Sequence, residues 1–386
     1  MRLKSFFFIL VSIILTNSGF SQKIVWTPKA SLPQVASGGA AVVCNDKIYY
    51  ILENNESFFE YDPETDQWTA KTGKILGGTH FAAASVNGLI YVIGGGAGTW
   101  TNNDICDPVN GTWTSGALMP TKRAHIKAAV VNDKIYIIGG LTPGSVHTEN
   151  EVYDPQTNTW ETKAPIPVAK EGYGISVINN KIYVFGGSTD LHVLTNTVHV
   201  YDPALDSWEE ISPMPANRWH PAIATVDNKV IITGGYEDLT GEPSKSTDIY
   251  DLATDFWTQA DSLPINNAQM GYAGCNGSIY TMGGSIDGGI TKKDNVYQGT
   301  LIDVSINQNN KINLKIYPNP AQNTLHIEYP GLIHKNVSYK IIDLDGKTLQ
   351  HGKLINNTID ISRLQKGIYI MNFDIDGEIV CKRIII

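Results

Sequence analysis

Several things are scarce in this 386-residue chain. Four cysteines are too few for a disulfide-stapled scaffold. Cys44 and Cys275 occupy matching places in two repeats, so a bond between them is conceivable if their Cα atoms come within about 7 Å. Cys106 and Cys381 have no evident partner, and all four read first as small buried residues. Positive charge is also short, with 29 Lys and Arg against 38 Asp and Glu and a net charge of −9. Nucleic acid is therefore not expected as the main partner, since phosphate neutralisation needs clustered Lys and Arg. The apolar run "FFFILVSIIL" (6–15) is half the about 20 residues that span a bilayer. There is no Gly-x-Ser-x-Gly, no His-Glu-x-x-His and no phosphate-binding loop.

That short run has another use. Arg2 and Lys4 precede it, and "GFS" (19–21) puts small residues before Gln22, the pattern of a cleaved export signal. The expectation is a leader over 1–21, cut near Ser21–Gln22, and a mature chain outside the cytoplasm.

Glycine, proline and repetition are abundant. The chain has 36 Gly and 18 Pro within a globular 42% hydrophobic content. One phrase occurs six times: "NDKIYYILE" (45–53), "NGLIYVIGG" (87–95), "NDKIYIIGG" (132–140), "NNKIYVFGG" (179–187), "DNKVIITGG" (227–235) and "NGSIYTMGG" (276–284). A second phrase follows the first five copies: "YDPETDQW" (61–68), "CDPVNGTW" (106–113), "YDPQTNTW" (153–160), "YDPALDSW" (201–208) and "YDLATDFW" (250–257). Successive Trp residues are 45, 47, 48 and 49 apart, the length of a four-stranded propeller blade. Asn-Asp, Asn-Gly and Asn-Asn pairs suit the positive φ of tight hairpins. The double Gly permits close backbone approach.

The diglycine, the Tyr-Asp-Pro and the Trp together resemble the Kelch repeat, and the resemblance covers residues 22–302. It implies an all-β, six-bladed Kelch-type β-propeller. The sixth copy lacks its Trp strand after "DNVYQGT" (294–300), and "KIVWTPKASLP" (23–33) carries a matching Trp26. The expected solution is a ring closed by the N-terminal strand, which removes exposed sheet edges. The first copy has Leu52 and Glu53 in place of the double Gly, so a distorted blade is expected there.

The turns "ND" and "DPxT" lie on one face of such a propeller, and the variable loops lie on the other, where functional residues concentrate. Aligned on the hairpin, two rings of residues begin the innermost strands. Nine positions before it stand Ala36, Gly78, Arg123, Lys170, Arg218 and Asn267; seven before it stand Gly38, His80, His125, Gly172, His220 and Gln269. Glu171 and Trp219 fall between the rings, and Trp100, His147, His192, Tyr236, Glu237 and Asp238 lie in the loops.

Arg123, Lys170, Arg218, His80, His125, Trp219 and His220 are thus the candidate ligand-binding residues. Arg123 and Arg218 would act as forked donors to an anionic or sugar-like ligand, and Trp219 as a stacking face. The competing reading is that Arg and His fix the loops. Glu171, His125 and His220 are the candidates for acid–base chemistry, though no spacing singles them out. No metal is expected, because His80 and His220, on opposite blades, would have to meet across the channel. No cofactor is expected either: a copper radical oxidase of the galactose-oxidase type also has a Kelch-like propeller, but its Cys–Tyr crosslink has no counterpart here.

From "INQNNKI" (306–312) the pattern changes. A linker over 303–311 leads to a β-sandwich expected over 312–386, with alternating apolar positions between Gly, Asn and Asp turns. "YPNPA", "DLDGK", "KGIY" and a basic pair before the terminal Ile run look like the type A sorting domain of the Bacteroidetes type IX secretion system. Tyr317, Pro318, Asn319, Pro320, Gly367, Tyr369, Lys382 and Arg383 would be the sorting signal. The resemblance implies the secretion machinery as a partner and a chain that is secreted or attached to the outer face of the outer membrane.

The functional expectation is a secreted or surface-attached propeller that binds a glycan, an anionic sugar or a partner protein. The alternative is a sugar-acid enzyme similar to the Kelch-type N-acetylneuraminate epimerases (sialic acid mutarotases). A pure assembly scaffold is a third possibility.

Overall fold

Turn chemistry sets the local structure. In this computed structural model the described residues are 22–303 except 54, 77, 99, 190 and 191, and 314–386 except 329–336, 344–347, 355 and 376–377. The expected leader, and the expected linker from 304 onward, lie outside them. Each repeated hairpin turns through two left-handed residues; Asn132 (φ 50°) and Asp133 (φ 60°) are typical. Ala128–Val131 and Lys134–Ile138 flank that turn, and Asn150–Asp154 and Thr159–Lys163 complete the antiparallel sheet.

The six repeats give six such four-stranded sheets. Their innermost strands are Ala40–Cys44, Ala82–Val86, Ala128–Val131, Gly174–Ile178, Ala222–Val226 and Gly271–Cys275. Each packs on the next and the last packs on the first, so the ring is closed. In the sixth sheet the outermost strand is Gln22–Lys29, paired antiparallel with Val296–Asp303. Trp26 lies over Gly299 so closely that a Cβ there would stand 2.6 Å from the indole.

The Tyr-Asp-Pro-to-Trp phrase fastens neighbouring blades. Trp160 Nε1 donates to the Ala117 carbonyl of the preceding blade at 2.9 Å, Trp208 to Ala164 at 2.8 Å and Trp257 to Ser212 at 3.3 Å. Trp68 donates to Ala30 at 2.9 Å and Trp26 to Asp261 at 3.0 Å, which carries the pattern through the closure. The Tyr hydroxyl orients the turn: Tyr201 donates to Asp206 Oδ1 at 2.6 Å, and that oxygen also accepts the Ala164 N–H at 2.8 Å. Burial against these Tyr and Trp rings forms a separate hydrophobic cluster between successive blades.

The double Gly has a steric cause. A Cβ on Gly139 would stand 2.5 Å from the Lys170 carbonyl, and one on Gly140 would stand 2.7 Å from the Ala124 carbonyl. The first blade, with Leu52 and Glu53 there, keeps four strands but has an irregular register between Asn55 and Ser57.

Cys44, Cys106 and Cys275 are free and buried, so the conceivable Cys44–Cys275 bond is absent. Each of those two thiols packs in a different hydrophobic cluster.

A second compact unit follows, the division falling between residues 303 and 304. Lys315–Tyr317, Thr324–Glu328 and Thr358–Asp360 form one antiparallel sheet. Thr348–Lys353, Val337–Ile342, Ile368–Ile375 and Glu378–Ile385 form the other. Leu325, Ile341, Ile359, Met371 and Phe373 fill the core of this unit. Its sequence phrases converge on the last strand: Asn319 Oδ1 accepts the Ile385 N–H at 2.8 Å, and Gly367 and Ile386 exchange backbone hydrogen bonds at 3.0 Å. The Tyr369 hydroxyl donates to the Gln365 carbonyl at 2.7 Å.

Candidate functional site

The two rings of residues have different destinations. The upper ring turns into the blades. Arg123 is fully buried; its Nη1 donates to the Gly139 and Glu149 carbonyls, each at 2.9 Å, and its Nη2 donates to the Glu151 carboxylate. Arg218 repeats the arrangement with the Gly234 carbonyl at 3.2 Å, Asp248 at 2.7 Å and Glu237 at 2.9 Å. Asn267 Nδ2 donates to the Gly283 carbonyl at 2.7 Å. Lys170 Nζ donates to Thr197 Oγ1 at 2.7 Å, and burial pulls its pKa down to about 7. The expected cationic face of Arg123, Lys170 and Arg218 is therefore spent on holding the loop after each second strand. A diglycine loop has no side chains of its own to satisfy its carbonyls; Arg123, Arg218 and Asn267 donate to the Gly139, Gly234 and Gly283 carbonyls, while Lys170 ties down Thr197 where its loop ends.

The lower ring turns into the channel. His80, His125, His220 and Gln269 all have left-handed backbones, with φ between 52° and 54°. Neighbouring members are linked by backbone bonds: Gly38 N–H to Gln269 at 2.8 Å, and His220 N–H to Gly172 at 2.6 Å. Gly172 has no side chain because the Trp219 indole occupies the space; a Cβ there would stand 2.3 Å from Nε1.

His80 and His220 do meet across the channel, contrary to the expectation from their opposite blades. One ring nitrogen from each of His80, His125 and His220 lies within 4.8 Å of the others. The His80 and His125 rings stack at 3.9 Å with an interplanar angle of 4°, and His220 is 5.3 Å from His125. Uniform left-handed geometry aims the side chains at the axis, and a six-fold ring is narrow there. Desolvation pushes the His80 pKa down to about 3 and that of His220 well below 6.5, so both imidazoles are neutral.

Two carboxylates face this cluster. Glu171 Oε2 is 3.0 Å from His125 Nδ1, an ion-pair distance without hydrogen-bond alignment. Glu53 Oε1 is 3.3 Å from His80 Nδ1, and the carboxylate lies 2.6 to 2.8 Å from where a Cβ of Gly38 would be. Burial raises the pKa of Glu53, offset in part by the His80 N–H. One step further in, Lys127 borders the channel alongside Phe81, Ile175, Met270 and Tyr272 in a cavity of about 110 Å³. Its ammonium stands 5.2 Å from the centre of the Tyr272 ring, and burial lowers its pKa to about 8, with Glu53 opposing the shift.

Glu53 and Lys127 are the residues that sequence reasoning missed. Both interrupt the repeat, which was the available signal: Glu53 replaces a glycine, and Lys127 stands where the other blades have Ala40, Ala82, Gly174, Ala222 and Gly271. Trp219 belongs to the mouth, 4.6 Å from His220 and 5.4 Å from Tyr236 between ring centres. His147 is held within its own loop by Glu149 at 3.0 Å and Thr142 at 2.9 Å, and His192 is exposed. Glu237 serves Arg218, and Asp238 caps the Thr240 N–H at 2.9 Å.

Comparison with known proteins bears on both units. Residues 125–310 match the model of a KLHDC2/KLHL20/DRC7 Kelch-repeats domain. Residues 315–386 match the secretion system C-terminal sorting domain, which marks the chain for export by that system. No curated protein matches the chain. Among solved structures, one titled "Structure of YjhT" superposes with a TM-score of 0.62 at 18% identity, over 71% of this chain and 99% of that one. Such an identity speaks for the fold alone. With the closed ring of blades and the tail in place, the chain is a Kelch-repeat β-propeller protein carrying a type IX secretion-system sorting domain.

Proposed function

We propose that this protein is an exported binding protein that takes a small, polar, sugar-like ligand at the loop-side mouth of its channel. One observation carries the reading. His80 Nε2, His220 Nε2 and Trp219 Nε1 are buried there without hydrogen-bond partners. Buried polar atoms are ordinarily satisfied, and each orphan costs about 1–3 kcal/mol, so a cluster of them points to an occupant. A polyhydroxylated ligand offers both donors and acceptors and stacks on aromatic faces such as Trp219. The protein acts outside the cell or at its surface, with the tail removed or retained as the sorting machinery dictates.

The test is a thermal-shift screen of neutral monosaccharides, sugar acids and short oligosaccharides. A ligand at 100 times its Kd adds about 2.7 kcal/mol by mass action. The reading expects a shift that Trp219→Ala abolishes. If no sugar shifts the melt and a partner protein co-purifies whose binding ignores the mouth residues, the propeller is an assembly module instead.

A second reading has its own support. Glu53 is displaced upward and Lys127 downward in the same mouth, and opposite shifts within one cleft are what acid–base catalysis requires. A sugar-acid epimerase or mutarotase would place its carboxylate near Lys127 and use Glu53 or the Glu171–His125 pair for proton transfer. NMR anomer exchange on N-acetylneuraminate, with wild type and Glu53→Gln, separates this activity from binding alone.

A further inference from the structure

The meeting of three imidazoles goes beyond what a sugar-binding mouth needs. We propose that His80, His125 and His220 form a binding site for a divalent transition-metal ion, of the zinc class, with an open position facing the channel.

Three kinds of observation support it. First, one ring nitrogen from each histidine lies within 4.8 Å of the others, in a grouping drawn from three different blades. Second, carboxylates stand beside the outward nitrogens. Glu53 Oε1 is 3.3 Å from His80 Nδ1 and Glu171 Oε2 is 3.0 Å from His125 Nδ1. A carboxylate behind a histidine, once aligned, holds the proton on Nδ1 and leaves the Nε2 lone pair for a metal, the usual outer support of metal-ligating histidine. Glu171 Oε2 and His125 Nδ1 are near enough for that bond but neither has a hydrogen-bond partner, so they must turn into line. Third, His80 Nε2 and His220 Nε2 are buried with no partner, and His220 as a whole is only 6% exposed. A buried ring nitrogen without a partner is costly, and one metal ion would complete both at once.

The donor set selects the ion. Imidazole nitrogens suit Zn²⁺, Co²⁺, Ni²⁺ and Cu²⁺, whereas Ca²⁺ and Mg²⁺ require oxygen ligands. Zn–N bonds of about 2.0–2.1 Å in a tetrahedral site put ligand nitrogens roughly 3.4 Å apart. From separations of up to 4.8 Å, the trio must therefore close by as much as about 1.4 Å. His80 and His125 are stacked nearly parallel, so one ring must also turn until its lone pair converges with the other. Metal binding is thus expected to break the stack.

Full-length protein stripped with a chelator and titrated with CoCl₂ provides the test, because tetrahedral Co²⁺ on nitrogen ligands has intense visible bands. The expected result is one Co²⁺ per chain, displaced by ZnCl₂, with a raised melting temperature. His125→Asn should weaken binding by at least a hundredfold. Glu53→Gln and Glu171→Gln leave the ligands in place and should weaken it about 10–100-fold. The carboxylate variants keep the test valid if a histidine variant fails to fold, and circular dichroism monitors that. Failure to saturate at one equivalent, or binding that survives both His125→Asn and the two carboxylate changes, overturns the site. The sugar screen is run on metal-free and Zn²⁺-loaded protein. Sugar binding without metal uptake removes the metal site and leaves the proposed function; metal uptake without sugar binding does the reverse.

Discussion

Replacing Arg123 distinguishes a structural role from a ligand-binding one. Its guanidinium is fully buried and bonded to the Gly139 and Glu149 carbonyls and to Glu151, itself 2% exposed. Arg123→Ala leaves the Glu151 carboxylate with only the Thr121 hydroxyl, at 2.7 Å, from this set of bonds. Breaking one side of a buried pair costs about 3–5 kcal/mol. Two buried carbonyls lose their donor as well, which adds to that figure without summing simply. At roughly 2 °C or more per kcal/mol for a domain of this size, calorimetry should record a fall of at least about 6 °C. Arg123→Met combined with Glu151→Leu removes both charges and should recover the part of the loss owed to the unpaired carboxylate, because an apolar pair of similar volume often replaces a buried ion pair at little cost. The part owed to the two carbonyls should remain. Any ligand found in the screen should bind the surviving fold of Arg123→Ala with unchanged affinity. A variant as stable as wild type but unable to bind ligand would refute this reasoning and return Arg123 to the mouth.

Other outcomes follow from the same geometry. Burial pushes His199 down to about 4 with Lys170 adding to the shift, so the unfolded chain binds more protons than the folded one between pH about 6.5 and 4. Stability should therefore fall on acidification through that window, and His199→Asn should flatten the fall by about 2–3 kcal/mol in urea melts; an unchanged slope counts against it. Trp208→Phe keeps the ring but loses the donor to the Ala164 carbonyl, which should cost about 1 kcal/mol in chemical denaturation. Deleting residues 22–29 exposes the edge of Val296–Asp303 and unseats the buried Ile24, so limited proteolysis should cut the sixth blade first. A truncated chain with undiminished melting temperature and protease resistance would mean that the N-terminal strand does not hold the ring shut.

The scaffold was legible because its determinants are local. Asn132-Asp133 specifies a hairpin by backbone preference, and Tyr201, Asp206 and Trp208 lie within one turn and grip the preceding blade wherever that turn is placed. The tail was legible for the same reason, its short phrases lying next to the strands they complete. The site was less so. The alignment put Arg123 and His125 at the mouth, two residues apart, but not in which direction either points. Left-handed His125 faces the channel, while Arg123 reaches back under its own loop. In the sequence Glu53 shows only as a break in the first blade's diglycine, and Lys127 only as a charge at a position where the other blades have Ala or Gly.

Sequence alone thus determined the period, the turns, the closure by Trp26 and the address carried by the tail, since each depends on residues close together or on a pattern repeated in register. Tertiary structure alone decided which charges are spent and which are free. Only the closed ring brings His80 of the second blade against His220 of the fifth and sets Glu53 beside them. Convergence of that kind depends on the width of the channel and the direction of the side chains, which no single repeat contains.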